Sequence, residues 1–440
     1  MKFRVGEKYL RPATQIASLA VITFLFYNLR YPVSMPFSSP LLAADPLVGM
    51  AGVVFARGEW IPAVLPIAVF VVGTLVLGRV FCGWICPVGF LADVVGRLRG
   101  GSGRVRGRFG YTQYGVLTAV LIMSVFTINV LAIADPLVIF QRSIYVTADM
   151  VAVPVILMII VGSSLVVARF WCRAICPAGG MLGIISLASP FCRNVDGRCN
   201  GCLKCRSECP AGAISKSNEW DATGCIKCLK CEEVCPNHAV SFSPSVPAMP
   251  AVHASRRAFL VGAVVFGALS VSRGVVSAIT PDQVAVARPP GSLVEDKFNA
   301  ACVRCGSCVR ACLGKVITPA GMSAGLERMY TPALDFGRGF CQRCGTCGQV
   351  CPTGAIISQS EDKIKIGTAQ VIQKLCVAWE HNTRCLVCNE VCPTHAIKGA
   401  DRLRPSIDLD LCIGCGSCQY NCPVEGKAIM VSPAGERRRK

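Results

Sequence analysis

Residues 199–210 read CNGCLKCRSECP, and the same spacing returns at 225–236 as CIKCLKCEEVCP. In a Cys-x2-Cys-x2-Cys-x3-Cys run, three thiolates wrap one 4Fe–4S cluster and the fourth reaches a neighbouring one. The spacing therefore predicts Cys199, Cys202 and Cys205 with Cys235 around one cluster, and Cys225, Cys228 and Cys231 with Cys209 around another. The run recurs at Cys302, Cys305, Cys308, Cys312; at Cys341, Cys344, Cys347, Cys351; and at Cys412, Cys415, Cys418, Cys422. A sixth quartet, Cys376, Cys385, Cys388, Cys392, is stretched after its first member by an insertion containing Trp379 and His381. Cys312 is followed by Leu313 where the other quartets have Pro. Zinc sites favour C-x2-C pairs set apart by longer loops, and disulfide scaffolds are much shorter secreted chains. A triplet plus one, repeated along 440 residues, argues against both. The expected fold here is α+β and ferredoxin-like, with a two-cluster domain at 191–245 and a four-cluster domain at 281–440.

Outward from the quartets the composition changes. The chain is 52% hydrophobic and only 16% charged, which points to membrane. Apolar stretches at about 12–29, 61–80, 111–133 and 151–170 each approach the ~20 residues that cross a bilayer. The net charge is +19, and many of the arginines behind it lie beside these stretches, among them Arg97, Arg99, Arg104, Arg106 and Arg108. Such arginines fix orientation, so nucleic acid is set aside as a partner. The positive-inside rule places the N-terminus, the arginine-rich link and the end of the fourth stretch in the cytoplasm. Residues 1–190 are thus expected to form a four-span helical bundle, with the 191–245 domain cytoplasmic.

An internal repeat organises that bundle. Ala44-Asp45-Pro46-Leu47-Val48 returns as Ala134-Asp135-Pro136-Leu137-Val138, and Cys82-x3-Cys86-Pro87 returns as Cys172-x3-Cys176-Pro177. The aspartate stands 37 residues before the first cysteine in both copies, and Arg79 with Arg169 and Gly89 with Gly179 keep the same offset. Two like-oriented hairpins related in this way resemble parallel transporter repeats. Six quartets take 24 of the 29 cysteines and leave Cys82, Cys86, Cys172, Cys176 and Cys192. Symmetry can bring the first four together as a seventh iron–sulfur centre; inert small residues and a dithiol switch are the other readings. Cys192 reads as a buried spare. Asp45 and Asp135 read as helix N-caps ahead of Pro, with a proton-accepting role at a quinol site as the alternative. Trp84 and Trp171 read as interfacial anchors, Lys204, Lys227 and Lys230 as a solvated face, 279–297 as a tether, and Arg437–Lys440 as a disordered tail. The only histidines are His238, His253, His381 and His395, none in an apolar stretch, so a bis-histidine membrane haem is excluded. There is no C-x-x-C-H haem attachment and no convincing nucleotide loop.

Between the two halves lies Ser255–Ala278, an apolar segment headed by Arg256-Arg257 with Phe259-Leu260 behind. It reads as a fifth span, at 253–280, of the twin-arginine export type. A domain that acquires its clusters among reduced cytoplasmic thiols has to cross folded.

On these residues, 1–245 resembles the NapH family of membrane quinol-dehydrogenase subunits, and the part from about 253 onward resembles the exported ferredoxin subunits of the NapG/MauM group. The resemblance implies oxidation of menaquinol or ubiquinol and delivery of electrons to a periplasmic cytochrome or reductase, with six 4Fe–4S clusters and the C-terminal domain in the periplasm of an inner-membrane protein. It also suggests that the four C-terminal quartets pair first with fourth and second with third; adjacent pairing is the alternative. A polyferredoxin factor for metalloenzyme assembly, and outward transfer from a cytoplasmic donor, are the rival functions.

Overall fold

The structure, a computed structural model, describes residues 7–28, 42–55, 61–98, 112–125, 134–145, 152–245, 286–325, 328–400 and 404–439. The segment Ser255–Ala278 lies outside the described residues, as do Arg99, Arg104, Arg106 and Arg108. The chain divides into two units, one built from 1–28, 40–50 and 61–277, the other from 278–440 with 29–39 and 51–60.

The first unit begins with helix Glu7–Tyr27, of which Tyr9–Tyr27 is long and apolar enough to cross a membrane. Helices Ile61–Leu77, Thr112–Val125 and Ala152–Gly162 stand where the other three stretches were expected, and their apolar cores are shorter. Pro46–Phe55 and Pro136–Ile144 are the helices that follow the repeated Asp-Pro. A left-handed residue stands just ahead of each C-x3-C-P motif, Gly78 (φ 73°) after helix Ile61–Leu77 in the first copy and Arg169 (φ 52°), the N-cap of Phe170–Ala174, in the second. A left-handed residue satisfies the end of a helix and redirects the chain. The first motif then forms a π-helical turn, Phe81–Ile85, and the second a short α-helix, Phe170–Ala174. Pro87 and Pro177 each open a further helix, Pro87–Leu98 and Pro177–Ile185, as proline at the first helical position does. Pro87–Leu98 packs on Glu7–Tyr27 and Ala152–Gly162, and Pro177–Ile185 packs on Thr112–Val125.

Residues 190–245 close into a small α+β module. Strands β1 (Phe191–Val195) and β2 (Val240–Pro244) pair antiparallel, with Phe191 opposite Pro244 and Val195 opposite Val240. The one-turn helices Lys204–Ser207 and Lys230–Glu233 lie between them and pack on each other.

Among the described residues the second unit holds three antiparallel pairs. They are β3 (Ile317–Pro319) with β4 (Pro332–Leu334), β5 (Thr368–Val371) with β8 (Ile429–Ser432), and β6 (Ile397–Ala400) with β7 (Arg404–Ile407). Of the stretch expected to be a tether, the described residues 286–297 are built into the unit. Arg288 is 2% exposed and pairs with Glu295 at the start of helix Glu295–Ala301. The expected disordered tail is ordered as well: Arg438 also pairs with Glu295, and Arg439 bonds Gly354 O at 2.6 Å and bridges Leu293. Glu295 recruits Arg288, Arg328 and Arg438 together, which ties the last residues to the first helix of the unit.

Candidate functional site

The chain can follow the surface of a compact anionic core only by reversing its twist between consecutive cysteines. It does so at Leu203, Lys227, Leu229, Arg304 and Arg343, all with φ between 50° and 60°, and at Gly201, Gly306, Gly345, Gly414 and Gly416. A left-handed non-glycine residue costs roughly 1–2 kcal/mol. Its return here is a nest of backbone N–H groups aimed inward, suited to an anion. The stretched quartet lacks the turn at Leu386 (φ −125°) and places it in the insertion instead, at Asn382 (φ 51°). None of the 29 cysteines is in a disulfide.

Crossed sharing is visible in the thiol neighbourhoods. Cys209 lies within electrostatic reach of Cys228 and Cys231, and Cys235 follows directly on helix Lys230–Glu233 and its cap Val234, the helix that packs against Lys204–Ser207. In the second unit Cys302 and Cys308 neighbour Cys351, while Cys341 and Cys347 neighbour Cys312, its following leucine notwithstanding. Cys415 neighbours Cys392, and Cys422 lines one cavity with Cys376, Cys385 and Cys388. Pairing is therefore first with second and third with fourth; the first-with-fourth arrangement is not formed. The two pairs meet where Cys341 N–H donates to Cys415 O at 2.8 Å.

The four repeat cysteines also converge. Cys86 neighbours Cys172 and Cys82, and Cys176 neighbours Cys172 and Cys82. Each repeat is bridged by the other repeat's arginine. Arg169, 1% exposed, donates to Cys82 O at 2.8 Å, and a Cβ on Gly89 would lie 3.4 Å from its guanidinium. Arg79, 3% exposed, takes the equivalent place beside Gly179, where a Cβ would come within 2.8 Å. Gln113 donates to both Cys172 O and Cys176 O at 2.9 Å, Gln15 donates to Gly83 O at 2.9 Å, and Gly179 N–H donates to Cys176 Sγ at 3.2 Å. Burial pushes the Cys86, Cys172 and Cys176 thiols up, so ionised sulfur here needs cationic partners. Two buried guanidinium groups, an amide on sulfur and four thiols fit an iron–sulfur core.

Asp93 holds Arg169 at 2.6 and 2.7 Å and Arg11 at 2.5 Å. Burial by itself would raise this carboxyl, but the Arg169 and Arg11 guanidiniums hold it down at about 2. Neither Asp93 nor the two glutamines stood out in the sequence. The available signal was that Asp93 is the sole acid in a link crowded with arginines.

The first unit joins the two thiol systems. Cys82 packs on Ala211, Ala213 and Ile226 together with Cys209, Cys225 and Cys228. The loop carrying Cys225 sits on the first C-x3-C-P turn: Trp84 Nε1 donates to Lys227 O at 3.0 Å, Arg79 to Thr223 O at 2.5 Å, and a Cβ on Gly83 would stand 2.4 Å from Ile226 O. Two expectations are corrected here. Trp84 reaches the ferredoxin loop with its indole N–H, and Lys227 is 1% exposed, donating to Phe191 O with its ammonium 4.5 Å from the Trp220 ring. An aromatic wall and a carbonyl replace water around that cation. Lys230 pairs with Glu208 at 2.7 Å, and Cys192 is buried in β1.

Six thiol quartets on nested backbone turns define a polyferredoxin, an iron–sulfur electron-transfer protein. Family models described as 4Fe–4S binding domains match 60–105 with 150–193, 219–241 and 403–424, and a 4Fe–4S dicluster domain matches 301–355. The first spans both C-x3-C-P copies. The chain is 33% identical over 176 residues to the ferredoxin-type protein NapG of Escherichia coli, covering 33% of this chain and 70% of that one. It is 33% identical over 159 residues to the methylamine utilization ferredoxin-type protein MauM of Methylorubrum extorquens, covering 33% and 72%. The putative electron transport protein YccM of Escherichia coli is 29% identical over 263 residues, covering 49% and 70%. No solved structure matches. The chain belongs to the NapG/MauM family of ferredoxin-type proteins through its C-terminal ferredoxin part.

Proposed function

We propose that this chain is a membrane-bound iron–sulfur quinol dehydrogenase, passing electrons from menaquinol or ubiquinol toward a periplasmic cytochrome or reductase. Six 4Fe–4S clusters held by the quartets, and a seventh centre held by Cys82, Cys86, Cys172 and Cys176, would each take up one electron, so that a two-electron donor is split into single steps. The observation that carries the reading is that Cys82 packs against the same Ala211, Ala213 and Ile226 cluster as Cys209, Cys225 and Cys228, which supports transfer between the repeat thiols and the ferredoxin module. Arg79 and Arg169 supply fixed positive charge to the four repeat thiols, and the nested amides do so at the quartets.

A membrane setting is supported by the outer faces of the helices. Leu65, Val69 and Val72 on Ile61–Leu77, and Met158 and Ile159 on Ala152–Gly162, are each more than half exposed. Apolar surface of that extent suits lipid. In this reading the N-terminal half forms the four-span bundle of a NapH-like subunit. The 191–245 module faces the cytoplasm, and the Arg256-Arg257 segment carries the folded C-terminal domain to the periplasm and stays as its anchor.

Anaerobic membranes treated with a quinol analogue test the proposal. Reduced-cluster signals in low-temperature EPR, and their loss when a periplasmic c-type cytochrome is added, are the expected results. Clusters that dithionite reduces and the quinol analogue does not would overturn it and leave the assembly-factor reading standing.

A further inference from the structure

The repeated Asp-Pro brings two carboxyls together. Asp45 Oδ1 accepts Leu47 N–H at 2.9 Å and Val48 N–H at 3.4 Å, and Asp135 Oδ1 accepts Leu137 N–H at 2.9 Å and Val138 N–H at 3.1 Å. Both are N-caps, as the sequence suggested. Capping uses one oxygen of each, however, and the side chains then face one another within hydrogen-bonding reach. Asp135 is 0% exposed and Asp45 3%. Among the described residues Asp135 Oδ2 has no donor. An unsatisfied buried acceptor is costly, and two acceptors facing each other lack only a proton between them. Burial, and then the Asp45 charge, pushes the Asp135 carboxyl well up, and burial pushes Asp45 up.

The pair is not remote from the thiols, because Asp135 acts electrostatically on Cys176. Helix Pro136–Ile144 packs against Glu7–Tyr27, Pro87–Leu98 and Ala152–Gly162. The titratable or charged residues on these elements are Glu7, Lys8, Tyr9, Arg11 and Tyr27 on the first, Asp93 and Arg97 on the second, and none on the third. Arg11 and Asp93 are bound to each other, and Arg142 lies on the pair's own helix. Helix Pro46–Phe55 carries no charge.

We propose that Asp45 and Asp135 share a proton and form the proton-loading partner of the four-thiol site. One electron arriving at Cys82, Cys86, Cys172 and Cys176 from a hydroquinone is matched by a second proton taken up by the pair. When the electron leaves toward the Cys225 set, that proton is released. The sign follows from reciprocal linkage: negative charge added near Cys176 raises the proton affinity of a neighbouring carboxyl, and a proton on the pair favours the electron. The inference rests on the four thiols holding a redox centre.

The test is a redox titration of the purified full chain at several pH values, reading the EPR signal that disappears in C82S/C172S. Its midpoint potential is expected to fall by about 59 mV per pH unit, the value of a tenfold change in proton activity for one electron. Redox-difference infrared spectra should show a carboxylic C=O band. D135N and D45N keep an N-capping side chain, so the helices remain; they should flatten the slope and remove the band. A pH-independent potential in the wild type, or an unaltered slope in both variants, would overturn the proton-loading role while leaving the redox centre in place. Absence of any signal assigned to the four thiols, with no fall of iron per chain in C82S/C172S, would overturn the centre and this inference with it.

Discussion

Asp93 is a single carboxylate on which two cations from other helices depend. D93N would leave Arg169, 1% exposed, without its counter-charge. Breaking a buried pair from one side costs about 3–5 kcal/mol, so the variant is expected to melt at distinctly lower temperature, with Arg169 released from Cys82 O. Glu295 does similar work in the second unit. Burial alone would raise its carboxyl, yet Arg288 and Arg438 hold it down at about 2. Because the folded value lies below the ordinary carboxylate range, this stabilisation is complete above about pH 4.5. It is lost as pH falls through about 2, so thermal unfolding of E295Q should differ from wild type at pH 7 and converge with it in strong acid. At this scale the sequence was legible where spacing enforces chemistry, as in the cysteine runs. It was illegible where one side chain's partner comes from a distant helix. Lys227 looked like part of a solvated basic face, and only the aromatic wall of Phe191, Trp220 and Phe242 shows why it is buried.

The short loops and turns that seat the thiols make their own predictions. Crossed pairing of neighbouring quartets means that C351S should abolish the signal of the cluster bound by Cys302, Cys305 and Cys308, and spare the one bound by Cys341, Cys344 and Cys347. C312S should do the reverse; EPR of each variant decides, and loss of the Cys341-set signal in C351S would refute the pairing. G83A pushes a Cβ to 2.4 Å from Ile226 O, which is backbone and has little freedom to move. Overpacking of this kind costs about 1–3 kcal/mol. It should pry the Cys225 loop from the C-x3-C-P turn, slowing reduction of the ferredoxin clusters while leaving their number intact. Helix positions followed from hydrophobic runs, and the Asp-Pro caps from residue type. Quartet partnering in the second unit did not follow, because spacing shows that a fourth thiolate is shared but not across which loop.

Over the whole molecule the repeat proved the most informative feature. Equal offsets of Asp, Arg, Cys and Gly related the two copies, and in the structure each arginine serves the opposite copy. The tail and the described part of the tether were misjudged, one for its charge and the other for its lack of periodicity, whereas Arg438 and Arg288 are drawn to one buried-side carboxylate. The claim on which the functional reading stands is that electrons enter the chain through the four repeat thiols. The direct measurement is quinol-analogue reduction of membranes carrying the C82S/C172S variant, monitored by EPR against a dithionite control. The expected result is full reduction of the quartet clusters by dithionite and none by the quinol analogue. Quinol-dependent reduction at the wild-type rate in that variant would contradict it.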